Sequence, residues 1–194
     1  ASTPQKGDNA LTKLIDTLSK NTNESVWKKI SNLFPYGEND GKSLGIYSED
    51  DETGKTTCVF SVADIKNNHF EGYFDVRFPK NVKLEEITKT IKNKLNENGF
   101  ECEFILKEDY HYVSSDSDFV KKLLKVYESE TGEKASPLAI GGGTYVHDID
   151  GGVAFGAEFP GENNNMHGND EFIKVESLKK SIRLYINAIL EICG

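Results

Sequence analysis

HFEGYFDVRFP, residues 69–79, is the stretch on which the fold turns. Its aromatic residues suit the half-buried, pleated surface of a strand. Pro79 cannot donate to a ladder and ends it. Working backwards, Ser43–Ser48 alternates Leu44 and Ile46, and the acidic turn Glu49-Asp50-Asp51-Glu52-Thr53-Gly54 can reverse the chain into Thr56–Ile65. That pair reads as a hairpin. A polar break at Asn67-Asn68 then leads into the aromatic strand. Working forwards, Val82–Leu95 places Leu84, Ile87, Ile91 and Leu95 on one helical stripe, and Asn98-Gly99 closes it before a strand over Phe100–Leu106.

Two amphipathic helices precede the strands. Asn9–Lys20 carries Leu11, Leu14, Ile15 and Leu18 at helical spacing, with Asp8 as the expected N-cap. Glu24–Phe34 gathers Val26, Trp27, Ile30, Leu33 and Phe34 on one face until Pro35 stops it. The order α, β, β, α, β would become a ferredoxin-like βαββαβ unit if one strand preceded Ala1. From about Ser114 the pattern changes. DSDFVKKLLKVYESETG (116–132) reads as a capped helix ending at Gly132. Then come Gly141-Gly142-Gly143, Gly151-Gly152, Gly156 and Gly161, interleaved with the runs SPLAI and VAFGAEF. Buried strands joined by functional loops are expected there. A last helix over Val175–Ile192 is expected to face a core with Leu178, Ile182, Tyr185, Ile186, Ile189 and Leu190.

The fold class is therefore α/β, more closely α+β, in 194 residues: enough for one ordinary domain or two small ones. The balance of 23 Lys+Arg against 32 Asp+Glu, a net charge of −9, argues against a nucleic-acid-binding surface. With 37% hydrophobic residues, 11 Phe and 8 Tyr, the chain can build a core and is not expected to be disordered. No run approaches the roughly 18 apolar residues of a membrane span, and the N-terminus lacks a signal-peptide pattern. Cys58, Cys102 and Cys193 are odd in number and far apart. They suit reduced thiols, so the expectation is a soluble cytoplasmic protein without a membrane partner.

A few residues stand out as chemistry. Arg77 is a lone guanidinium in the aromatic strand, and its planar fork suits a substrate carboxylate. A salt bridge with Asp75, two residues away on the same face, is the plainer alternative. Gly141-Gly142-Gly143-Thr144 can offer backbone N–H groups to an oxyanion or carboxylate, or can simply be a tight turn. It fits neither the P-loop nor the dinucleotide pattern. His167 lies in the polar loop NNNMHGNDE (163–171), where it could ligate a metal with Asp170 or Glu171 orienting it, or be merely exposed. His147, Asp148 and Asp150 form a smaller polar cluster that could equally be a solvated turn. His69 and His111 show no partner pattern.

Taken together, the motifs resemble the co-catalytic zinc peptidase family of aminoacylases, succinyl-diaminopimelate desuccinylases and carnosinase-like dipeptidases, and within it the bacterial PepV-like dipeptidase branch. They are Ser2-Thr3-Pro4, Gly7 and Asn9-Ala10; Asp75-Val76-Arg77-Phe78-Pro79; Ile140-Gly141-Gly142-Gly143-Thr144-Tyr145; Val153-Ala154-Phe155-Gly156; Phe159-Pro160-Gly161; Met166-His167; and Glu171-Phe172. They run in order over essentially the whole chain. The resemblance implies a two-metal catalytic domain interrupted by a lid, with residues 1–110 as the second, ferredoxin-like part of the lid and residues 111–194 as the returning catalytic segment. It implies that His167 ligates zinc, with manganese or cobalt as other candidates. It also implies that Arg77 grips the C-terminal carboxylate of a small peptide substrate and that backbone at Gly142 and Gly143 helps position it.

The family's opening motif runs Ala-His, a small residue, Ser, x, Pro, so Ala1 begins just after that His. The upstream His, the bridging Asp and the Glu-Glu pair with the general base would likewise precede this chain. The expectation is an inactive C-terminal fragment of a dipeptidase, since one ligand cannot build a catalytic zinc site. Two positions depart from the pattern: Asp170 stands where Asn is common, and Val146-His147 where the branch has Ala or Gly and then Arg. A non-enzymatic α/β interaction module whose ferredoxin-like half pairs edge to edge with a copy of itself or a partner is the other reading, and a homodimer through the lid is the partner expectation.

Overall fold

A computed structural model describes residues 3–67, 69–156 and 158–194. Its elements mix helix and strand, as an α/β chain should: α1 (Ala10–Asn21), α2 (Ser25–Leu33), β1 (Glu49–Asp50), β2 (Gly54–Lys55), β3 (Thr57–Lys66), β4 (His69–Arg77), α3 (Leu84–Glu97), α4 (Asp118–Thr131) and α5 (Val175–Cys193). They group into two compact units. The first holds Ala1–Tyr110 with Ala139–Gly142, the second His111–Leu138 with Gly143–Gly194.

The first unit is built on the β3–β4 hairpin, antiparallel from Thr57↔Arg77 to Lys66↔His69 with an irregularity between Phe60 and Val62. The pairs Cys58↔Val76 and Phe60↔Phe74 turn their side chains to one face. Helices α1, α2 and α3 supply Ile15, Ile30, Leu33, Ile87, Ile91 and Leu95 to the same core. Burial of each such aliphatic chain stabilises the fold by roughly 1.5–3 kcal/mol. Phe34 stacks on Phe60 with ring centroids 4.7 Å apart and leans on Phe74 at 5.0 Å. Burial also pushes the Cys58 thiol up to about 12, so it stays protonated and unreactive at neutral pH.

Three expectations are corrected here. Asn9, not Asp8, caps α1: its Oδ1 accepts from the Leu11 and Thr12 backbone N–H groups at 3.0 and 3.2 Å. A carboxamide wins because its Nδ2 also donates to the Phe60 carbonyl at 2.8 Å, tying the helix to β3. Asp8 instead accepts from Tyr36 and Lys13. Ser43–Ser48 is not a strand. Gly41 and Gly45 sit at φ +71° and +76°, which breaks extension, and Leu44 and Ile46 are buried as loop anchors. The partner of β3 is therefore β4, while the acidic turn makes only the short β1–β2 ladder.

Phe100–Leu106 forms no ladder among the described residues. Phe100, Cys102 and Phe104 do alternate inward onto the core as strand periodicity requires, so the pattern was present without a backbone partner.

The second unit differs most from expectation. Among the described residues between α4 and α5 there is no strand, and Leu138 of the SPLAI run is exposed, as is Ile140, which groups with the first unit. Such runs become strands only where neighbours complete their hydrogen bonds. Helix α4 matches its reading: the Ser117 hydroxyl accepts from Val120 N–H, and Gly132 closes the helix at φ +73°. Its Leu123 and Val126 pack with Leu184 and Ala188 of α5. The buried residues of α5 are Ser177, Ser181, Leu184 and Ala188, whereas the six apolar residues expected to face a core are exposed.

Gly72 tests the hairpin core. A Cβ there would lie 2.6 Å from two atoms of the Phe60 ring, which is stacked on Phe34. Gly72→Ala is expected to lower unfolding stability by about 1–3 kcal/mol, read as a shift in denaturant midpoint at unchanged m-value; an unshifted midpoint would contradict the packing.

Candidate functional site

Arg77 ends β4 directly opposite Thr57 in the ladder. Its Nε donates to Asp75 Oδ1 at 3.0 Å and its Nη2 reaches Oδ2 at 3.5 Å. The salt bridge foreseen as the plainer alternative is thus formed, and it occupies one edge of the guanidinium fork. Both partners are about a third or more exposed, 34% and 43%, so the pair adds at most about 1 kcal/mol. Thr57 beside it is buried, and its hydroxyl has no partner among the described residues.

The triple glycine is exposed, and none of the three lies at positive φ. A Cβ on Gly142 would just touch the Ile140 side chain at 4.0 Å, and one on Gly143 would meet nothing within 4 Å. Local packing therefore does not require glycine at Gly142 or Gly143. After them the chain winds through successive turns, with His147 N–H donating to the Thr144 carbonyl and Gly152 N–H to that of Ile149.

These turns bring in a residue that sequence reasoning passed over. His111 Nε2 lies 2.6 Å from the Gly152 carbonyl, and its ring centroid is 5.8 Å from that of His147. A contact spanning 41 positions leaves no local signal, so spacing could not have revealed it.

His167 sits in a loop folded on its own polar groups. Asn163 Oδ1 accepts from Asn165 N–H, Asn164 Oδ1 accepts from Met166 N–H, and the Asn164 carbonyl accepts from Phe172 N–H at 3.0 Å. Asn165, His167 and Asp170 all adopt left-handed backbone, at φ +56°, +62° and +57°. Asn and Asp tolerate that region through local hydrogen bonds. At His167 it is a strained choice, and the surrounding bonds hold it there. The His167 backbone N–H donates to Glu171 Oε2 at 3.4 Å, so Glu171 acts on the main chain of His167.

Next to this loop is a cavity of about 510 Å³ lined by Glu158, Glu162, Asn163, Asn164, Glu171 and Phe172, among others. Glu162 is the anchored member. Ser177 Oγ donates to its Oε1 at 2.7 Å and Lys174 Nζ lies 3.5 Å away, and together they hold its carboxyl below the usual carboxylate range. Gly156, also in the lining, lies at φ +84°, and a Cβ there would come within 2.9 Å of the Tyr185 hydroxyl, which donates to the Phe155 carbonyl.

Among the described residues no group of three or more His, Cys, Asp and Glu side chains is placed to hold a metal ion. His167 can offer one imidazole, and these residues do not by themselves fit a catalytic metal centre. No helix is long and apolar enough to cross a membrane among the described residues.

The motifs can now be set against known proteins. Residues 30–191 match the profile of peptidase family M20/M25/M40. The chain belongs to this family. It is also 30% identical, over 195 residues, to provisionally named dipeptidases of Staphylococcus aureus strains USA300 and N315, and equally identical over 194 residues to one of Staphylococcus haemolyticus strain JCSC1435. Each match covers 98% of this chain and 41% of the relative, so the chain spans about two fifths of the length of these M20 relatives. The motif containing Ser2 falls partly outside the described residues, as does Asn68 of the predicted break.

Glu162 supplies a pH test. A group with a depressed folded-state value contributes stability above its unfolded value, and this is lost as pH falls through the folded value. The ¹³C carboxyl titration of Glu162 is expected to have a midpoint below 4.5, moving upward in Ser177→Ala. A midpoint indifferent to that substitution would contradict the bond.

Proposed function

We propose that this chain is the C-terminal part of a longer metal-dependent dipeptidase of the PepV-like branch, hydrolysing small peptides with a free C-terminal carboxylate. The observation that carries the reading is the joint one above: a peptidase-family match over residues 30–191 in a chain that corresponds to 41% of dipeptidase-named relatives. On this reading residues 1–110 form the second part of a lid, and residues 111–194 the last segment of the catalytic domain. Zinc, with manganese or cobalt as substitutes, is the cofactor of the longer protein, and His167 contributes one imidazole toward it. On this reading the other ligands come from polypeptide outside this chain, since one imidazole does not make a catalytic zinc site.

Arg77 is the proposed carboxylate grip. A planar guanidinium recognises a carboxylate in two-point fashion, and Asp75 already fixes its orientation from one side. The backbone N–H groups at Gly142 and Gly143 are proposed to help position the peptide substrate. They are exposed, and no side chain at these positions would obstruct an approaching ligand. Where other family members carry Arg after the Gly-Thr-Tyr motif, His147 brings an imidazole beside His111, so preference among peptides is expected to follow this chain's own loop.

The test uses the protein encoded by the complete reading frame. Arg77→Ala is expected to raise KM for dipeptides about 10- to 100-fold, the worth of a charge-assisted hydrogen bond. KM for the corresponding dipeptide amides should hardly move. Equal loss on both substrates would assign Arg77 to structure alone.

A further inference from the structure

The loop from Gly143 to Gly152 has little packing to hold it. None of its residues is buried, and its large side chains Tyr145 and Ile149 are 99% and 55% exposed. Its backbone hydrogen bonds among the described residues are all local turns: His147 N–H to the Thr144 carbonyl at 3.1 Å, Ile149 N–H to that of Val146 at 3.0 Å and Gly152 N–H to that of Ile149 at 2.9 Å. Bonds of this kind shape a loop without fixing it to anything else. Packing resumes after the loop, where Val153 and Phe155 lie against the core between α4 and α5.

One hydrogen bond ties the loop down. His111 lies just ahead of α4 in the same compact unit, and its Nε2 is 2.6 Å from the Gly152 carbonyl in a half-buried contact. A carbonyl oxygen can only accept, so the imidazole carries a proton on Nε2. Among the described residues no other hydrogen bond joins residues 143–152 to a distant part of the chain. The acceptor is itself held in place. Gly151 turns the chain at φ +72°, and a Cβ on Gly152 would lie 3.1 Å from the Ile149 carbonyl oxygen, tighter than a side chain normally packs. The same closure sets the His147 ring beside that of His111, with centroids 5.8 Å apart.

We infer that His111 is a positioning residue for substrate binding, which holds the Gly143–Gly152 loop so that the Gly143 backbone N–H is in place before a peptide arrives. This rests on the dipeptidase reading and on the part proposed there for Gly143. His111 acts through the loop and touches no reacting atom. An exposed loop that must be ordered when its ligand binds loses affinity to the entropy of ordering, and a tether made beforehand removes that cost. Its loss therefore falls on KM, with kcat little changed.

Two amide substitutions that differ by one methylene test this in the protein encoded by the complete reading frame. His111→Gln keeps an N–H at about the reach of the imidazole Nε2, whereas the shorter side chain of His111→Asn falls short of the Gly152 carbonyl. Circular dichroism checks that both variants fold. In His111→Asn, hydrogen exchange over residues 143–152 is expected to be about 3- to 10-fold faster and KM for dipeptides about 3- to 10-fold higher, the fold-change that one hydrogen bond is worth, with kcat within about twofold. His111→Gln is expected to restore both readouts to within about twofold of the unsubstituted protein.

Unchanged exchange in His111→Asn would overturn the tether. Faster exchange with an unchanged KM would overturn the positioning role and leave His111 a structural residue, with the dipeptidase reading intact. Failure of His111→Gln to restore either readout would remove the hydrogen bond as the cause. An unsubstituted protein that turns over no dipeptide would remove the dipeptidase reading and this inference together, whatever the exchange rates show.

Discussion

The aromatic layer of the hairpin is the constraint on which the first unit depends. Phe60 and Phe74 face each other across β3 and β4, Phe34 arrives from the end of α2 to pack on both, and Gly72 leaves room for the Phe60 ring. A two-stranded hairpin is at best marginal in water, and packing of helices on its apolar face gives it independent stability. The Asn9 side chain joins two of these tasks by capping α1 and bonding to the Phe60 carbonyl. Arg77 inherits its position from this arrangement, because the register that seats Phe74 and Val76 inward turns Asp75 and Arg77 outward together.

Most of this unit was legible in the sequence because its signals are local. Helical spacing located α1, α2 and α3, and in the second unit the caps of α4 followed from Ser117 and Gly132. The aromatic run placed β4. What failed depended on partners. Leu44 and Ile46 alternate like a strand, yet the flanking glycines turn the chain and their burial comes from loop geometry. Phe100–Leu106 keeps the two-residue periodicity without a ladder. The SPLAI run is apolar enough for a buried strand and is exposed, since a strand is completed by its neighbours. Helix α5 was placed correctly and its orientation was not, because periodicity shows that a helix has an apolar face and cannot say which other element covers it.

The candidate site divides in the same way. The Asp75–Arg77 pair was readable from a spacing of two on one strand. The strained backbone at His167, the Glu171 contact with its N–H, and the His111–His147 pair were not, for each depends on how a loop closes on itself. The chain belongs to the matched family, and among the described residues no group of three or more His, Cys, Asp and Glu side chains is placed to hold a metal ion. The first unit carries the larger core, and the second carries the polar loops and a helix with an exposed apolar face.

The central claim is that this chain supplies part of a metallopeptidase whose metal centre requires polypeptide beyond it. The most direct measurement is zinc retained after exhaustive desalting, together with dipeptide turnover, on the 194-residue chain and on the product of the complete reading frame side by side. The account predicts bound zinc and turnover in the longer protein, with neither stoichiometric zinc nor turnover in the 194-residue chain. A 194-residue chain that keeps stoichiometric zinc and hydrolyses dipeptides would contradict it.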